Sequence, residues 1–243
     1  MKKLIALFLF FMVNSIVHSQ NKKPVIVELF TSQGCSSCPS ADLLLSSILK
    51  ESSSNEVIGL SFHVDYWDYI GWKDPFASPD NTRRQRTYAR KFKSNSVYTP
   101  QMVVNGKYEF VGSSRKNWKE AKSKAITETT SHELKLKMVE INKEKVVVSI
   151  ESDQAVSGLI LNVALAESNL NREVARGENS GRTLYHDNVV RAFTSRQFDG
   201  QVNTFVFALN SVEKLENCSL IAYTQDQSTW HVASSTSYAL ADL

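Results

Sequence analysis

Along the first half of the chain, short apolar runs alternate with longer stretches in which apolar residues return every three or four positions. That alternation predicts an α/β unit. Val25 to Leu29 and Val57 to Phe62 read as strands, and a helix is predicted between them from about Ser37 to Lys50. Ser78-Pro79-Asp80 marks the start of a second helix, which runs to about Lys93. There the serine caps, the proline stands where its missing N–H costs nothing, and the carboxylate complements the helix dipole. Met102 to Val104 and Tyr108 to Val111 flank Asn105-Gly106, a favoured pair for a two-residue hairpin turn. A last helix spans about Ser114 to Thr127, giving the order β-α-β-α-β-β-α.

Beyond the polar stretch from Thr127 to Glu133 the period changes to two, with Leu134, Leu136 and Met138 alternating with polar residues. Val146 to Ile150, Leu159 to Leu165, Val189 to Phe193, Thr204 to Ala208, Leu220 to Tyr223 and Trp230 to Tyr238 are further strand candidates. An antiparallel sandwich is the simplest way to bury them. The expected organisation is therefore an α/β domain over residues 20–130 followed by an all-β, sandwich-like C-terminal domain over 131–243.

Lys2 and Lys3, the apolar stretch from Leu4 to Val17, and Val17-His18-Ser19 read as a secretory signal peptide, residues 1–19, cleaved after Ser19. The stretch contains Asn14 and Ser15 and falls short of the ~20 apolar residues of a membrane span. The expectation is an exported protein, periplasmic or secreted, with no stable membrane insertion after cleavage. Removal of Lys2 and Lys3 leaves 26 cations against 25 anions, a balance that argues against nucleic-acid binding.

In an oxidising compartment the three cysteines acquire meaning. Cys35-Ser36-Ser37-Cys38 lies where the first strand gives way to the first helix, a placement that points to thiol redox chemistry. Unpaired N–H groups and the positive end of the dipole favour a thiolate there. Cys35 is expected to be the exposed nucleophile and Cys38 the resolving thiol, the pair passing between dithiol and disulfide. Cys218 opens an apolar strand and reads as a buried, inert thiol.

The element order, the position of the pair and Tyr98-Thr99-Pro100 before a strand resemble the thioredoxin fold, in which a cis proline packs beside the dithiol. The strings Val27 to Pro39, Phe62 to Asp68, Gly71 to Phe76, Val97 to Gln101 and Gly177 to Thr183 are similar to the bacterial secreted, thioredoxin-like family catalogued as domain of unknown function 1223. The resemblance implies a thioredoxin-like fold, export, and a Thr99-Pro100 loop that docks substrate backbone. Gly34 before the pair and two serines within it depart from Trp-Cys-Gly-Pro-Cys, which leaves the direction of electron flow open.

His63 and Asp65 follow the second strand and are placed to approach the dithiol, His63 as proton shuttle, third metal ligand or simply a hydrogen-bonded core residue. Tyr66, Trp67, Tyr69, Trp72 and Phe76 form an aromatic loop, read as packed over the domain and bordering the thiol site. The cations of the second helix read as a solvated face. Gly177 to Thr183 reads as a long inter-strand loop without legible chemistry.

Three functions follow. The first is an exported thiol-disulfide oxidoreductase with catalytic Cys35 and Cys38, supported by Thr99, Pro100, His63, Asp65 and Trp67. It acts on protein or peptide thiols with a separate redox partner, and calls for no cofactor and no metal. The second is a metal-binding or metal-delivery protein using Cys35, Cys38 and His63. The third is an interaction module with a permanent disulfide.

Overall fold

The computed structural model describes residues 23–128 and 130–242. The expected signal segment, residues 1–19, lies outside them. Strand β1 (Val25–Thr31), helix α1 (Pro39–Glu51), β2 (Val57–His63), α2 (Pro79–Lys91), β3 (Gln101–Val104), β4 (Tyr108–Val111) and α3 (Arg115–Ala125) follow in the order that the periodicity predicts. The start signals act as expected at two points. Ser78 Oγ accepts the Asp80 N–H at 3.2 Å with Pro79 in the first helical position. Asn105 and Gly106 both take positive φ, and the Lys107 N–H returns to the Val104 carbonyl across them. The first helix begins two residues later than predicted, with Cys38 at its N-cap.

The second half contributes β5 (Leu134–Ile141), β6 (Lys145–Ser152), β7 (Leu159–Glu167), β8 (Leu170–Val174), β9 (Arg182–His186), β10 (Val189–Phe198), β11 (Asn203–Ala208), β12 (Cys218–Asp226) and β13 (Val232–Ala239). Strands β8 and β9 form a hairpin of their own. It packs along α1 and carries at its tip the Gly177 to Thr183 segment that the sequence presents as a plain loop.

The expected thioredoxin-like α/β domain followed by an all-β, sandwich-like domain is corrected by the sheet topology. One mixed sheet of eight strands, ordered β13-β12-β7-β10-β2-β1-β3-β4, passes through both halves, and the described residues are mostly β with three α-helices among them. The join is made by β10 beside β2, where Val189 pairs with Ser61, the Ser61 N–H donates to the Asn188 carbonyl, and Asn188 Nδ2 donates to the Gly59 carbonyl. The physical reason lies in β7 and β12, each buried on both faces. Leu161, Val163, Leu165, Leu220 and Ala222 pack against the three-stranded sheet β11-β6-β5. On the opposite face Ala164, Ala166, Ile221 and Tyr223 share a core with Ile26, Phe30, Leu60, Phe62 and Tyr88. A free-standing sandwich wall shows one face to solvent, whereas strands apolar on both sides belong inside a covered sheet.

A polar joint crosses the same contact. Glu28 on β1 is fully buried, and Arg84 of α2 donates to both of its carboxylate oxygens at 2.5 and 2.8 Å. The same guanidinium donates to Tyr223 Oη at 2.7 Å and Gln225 Oε1 at 3.0 Å on β12, while Tyr88 Oη donates to Glu28 at 2.6 Å. Burial works against the charge of Arg84, and Glu28 with the two phenol oxygens more than offsets it, so the guanidinium stays protonated. One cation of the presumed solvated helix face is thus the centre of the interface.

Candidate functional site

Cys35 and Cys38 are joined in a disulfide with Cα atoms 5.4 Å apart, in the turn between β1 and the first turn of α1. Gly34 stands before it because a Cβ there would meet Trp67 Cβ at 3.0 Å and the Trp67 carbonyl at 3.2 Å. Trp67 continues the contact by donating from Nε1 to Thr99 Oγ1 at 2.8 Å. The Thr99-Pro100 bond is cis, and Pro100 immediately precedes Gln101, which pairs with Phe30 of β1. The aromatic loop is packed, with Phe76 buried and Trp67 and Trp72 partly covered; Tyr69 alone among its aromatics is largely exposed.

Cys35 is not the exposed thiol that the spacing predicts. Both cysteines are fully buried (0%), and only Ser36 and Ser37 between them face solvent. The cover comes from the β8–β9 hairpin. Asn179, itself buried, spends both amide protons on the disulfide turn, donating to the carbonyls of Gln33 and Cys35 at 2.9 Å each. Beside it Glu178 accepts the Ser36 N–H at 3.1 Å, and Ser36, through its side chain first and then its backbone, holds that carboxyl below its ordinary range.

His63 is engaged elsewhere than at the sulfurs. Its Nδ1 lies 2.6 Å from Asp74 Oδ2, and Asp74 is fixed by the N–H groups of Gln33 and Phe76 at 2.9 Å each. Burial disfavours a charged imidazole, but the Asp74 carboxylate and its hydrogen bond outweigh burial and raise the His63 pKa above its usual value. Burial likewise penalises the Asp74 anion, and His63 overrides it, holding that carboxyl low. The His63 ring lies 4.8 Å from that of His186 at the end of β9, and Gln33 Nε2 meets His186 Nε2 at 3.1 Å. Asp65 bonds Thr82 of α2 through a 2.5 Å contact.

Among the described residues, the His, Cys, Asp and Glu donors that converge are Asp42, His63 and His186; neither Cys35 nor Cys38 belongs to that group. The sequence reading missed Asp42, Asp74, His186, Gln33 and Asn179. Asp42, four residues after Cys38 in the first turns of α1, carried the one usable signal: a carboxylate on a helix face that also holds Ala41 and Leu45.

Cys218 is a free, buried thiol that burial, with Glu167 adding, pushes up to about 12. At pH 8 only about one part in ten thousand is then thiolate. Alkylation of the native, unreduced protein is expected to label no cysteine, unfolding without reductant one, and unfolding after reduction three. Mass spectrometry of the labelled chain checks the count, and native labelling of Cys218 would contradict its burial.

Among the described residues no helix is long and apolar enough to cross a membrane. No curated protein matches the chain. The crystal structure of a protein from Agrobacterium tumefaciens is similar at 29% identity and TM-score 0.65, covering 91% of this chain and 96% of its own. HBP35 of Porphyromonas gingivalis shares the fold at 13% identity and TM-score 0.64, over 90% of this chain and 76% of its own. The family described as "Protein of unknown function (DUF1223)" matches residues 26–225, nearly all of the sheet and its helices together with the disulfide turn and its cover, and the chain belongs to that family.

Proposed function

We propose that the protein is an exported thiol-disulfide oxidoreductase whose centre is the Cys35–Cys38 pair. The observation that carries this reading is the placement of the disulfide at the N-terminal turn of α1, with Ser36 and Ser37 exposed between the sulfurs. A disulfide of this kind also belongs with an oxidising compartment outside the cytosol. The chemistry is exchange. A substrate thiolate attacks Cys35 Sγ, the S–S bond breaks, and its electron pair leaves on Cys38 Sγ, which takes up a proton. The second substrate thiolate then attacks the substrate sulfur of the mixed disulfide and releases Cys35 as thiolate. The substrate dithiol is oxidised by two electrons and the protein pair reduced by two; run backwards, the same steps reduce a substrate disulfide. Thr99, Pro100 and Trp67 are the residues we assign to substrate docking, because they flank the turn.

Exchange requires the Glu178-Asn179 cover to lift. Complete enclosure of both sulfurs favours the competing reading of a permanent structural disulfide. A redox titration in glutathione buffers, with alkylation trapping and mass spectrometry at Cys35 and Cys38, separates the two. The expected result is a reversible two-electron transition between about −120 and −270 mV, whereas resistance below about −300 mV makes the pair structural. Cys35→Ser is expected to abolish exchange. Asn179→Ala removes two hydrogen bonds worth about 0.5–1.5 kcal/mol each, and is expected to speed reduction by dithiothreitol about tenfold. An unchanged rate would show that the hairpin does not limit access.

A further inference from the structure

We propose that Asp42, His63 and His186 form a buried site for a divalent transition-metal ion of the zinc class. The three come from separate elements, α1, the end of β2 and the end of β9, and their donor atoms lie within 4.8 Å of one another. All are buried, at 5%, 0% and 2% exposure. His63 Nε2 and His186 Nδ1 hydrogen-bond to no group of the protein, and His186 Nδ1 faces Asp42 Oδ1 at 3.8 Å, beyond hydrogen-bond length. Two imidazoles, each with a ring nitrogen that has no protein partner, and a carboxylate gathered within 4.8 Å supply the borderline N/O donor set that zinc-class ions prefer and that calcium and magnesium do not.

The surroundings orient two of the three donors as a metal requires. Asp74 takes the Nδ1 proton of His63 and leaves Nε2 as the ligand atom, the carboxylate–histidine pairing that supports metal-bound imidazoles. Thr31 Oγ1 donates to Asp42 Oδ2 at 3.1 Å, leaving Oδ1 for the ion. Gln33 holds His186 Nε2. Metal–ligand bonds of about 2.0–2.2 Å place tetrahedral ligands about 3.4 Å apart, so the three side chains close by no more than about 1.4 Å.

Gln33 adds a consequence specific to this site. Its Oε1 accepts the Trp72 indole N–H at 3.0 Å, which turns its amide N–H toward His186 Nε2. Ligation through Nδ1 puts the ring proton of His186 on Nε2, so Gln33 must present oxygen there and withdraw it from Trp72. Metal binding therefore releases the Trp72 indole.

The test is zinc and cobalt(II) binding by the oxidised protein, with metal added both to the folded chain and during refolding from urea, followed by dialysis and elemental analysis. The expected result is one retained equivalent, a cobalt visible band without thiolate charge transfer, and a tryptophan fluorescence change that Trp72→Phe removes. Cys35→Ser/Cys38→Ser is expected to keep the equivalent, and His63→Gln and His186→Gln to lose at least about tenfold in affinity. Wild-type protein that retains no metal under either regimen overturns the site without reference to any variant. So does a thiolate–cobalt band, or full retention by folded His63→Gln.

Discussion

Arg84→Met is expected to lower the stability of the protein by about 3–5 kcal/mol, because it strands the carboxylate of Glu28 inside the molecule with its counter-charge removed. Glu28 is fully enclosed, and although the phenols of Tyr88 and Tyr223 remain beside it, neutral hydrogen bonds do not compensate a buried anion. The guanidinium also stacks over Phe193 at 4.7 Å and binds Tyr223 and Gln225, so its loss releases groups on β10 and β12 as well as β1. Urea denaturation at neutral pH measures the cost. The companion variant Glu28→Gln/Arg84→Met removes both charges and should recover a large part of the loss, since an absent pair costs less than a broken one. If Arg84→Met cost less than about 1 kcal/mol, Glu28 would have to find water or a proton, and the buried ion pair would not be what joins the halves.

Gly106→Ala is the second large effect, at about 2–5 kcal/mol from backbone strain and overpacking together. The residue sits at φ +67°, and a Cβ there would stand 1.9 Å from the Trp230 carbonyl oxygen and 2.8 Å from Gln225 Nε2. A backbone oxygen cannot step aside without breaking the Val232 N–H to Asn105 carbonyl bond beside it, at 3.0 Å. Gly158 supplies the control, with φ +68° and nothing within 4 Å of the added carbon. Gly158→Ala should therefore cost only the strain, about 1–2 kcal/mol. The difference between the two variants in the same denaturation series isolates the contact between the β3–β4 hairpin and the chain before β13. Equal costs would remove that contact from the account.

Both substitutions act where the two halves of the chain meet, and that meeting is what the periodicity left unread. Local signals were legible: Ser78-Pro79 starts α2, Asn105-Gly106 turns the hairpin, and Cys35 to Cys38 precedes a helix. These are short-range effects, decided within a few residues. The continuous sheet was written less openly, in the two-sided burial of Leu159 to Glu167, where alternate residues serve different cores. Arg84 was hidden in a basic run, although it precedes Tyr88 by four positions and so shares its stripe with Asn81 and Gln85. Strands β8 and β9 gave almost no signal, because Leu170, Val174, Leu184 and His186 are all that they bury. With that hairpin went Asn179 and His186, whose partners lie over a hundred residues upstream and follow no local period.

The amide that closes over the cysteine pair is translated 144 positions after Cys35. At synthesis rates of about 5–20 residues per second, that separation amounts to roughly 7–30 s in which the pair exists and its cover does not. During this interval neither Glu178 nor Asn179 exists to cover the pair. Arrival of the β8–β9 hairpin then supplies those contacts, so the order of synthesis leaves the young chain's cysteine pair without the cover that the folded molecule places over it.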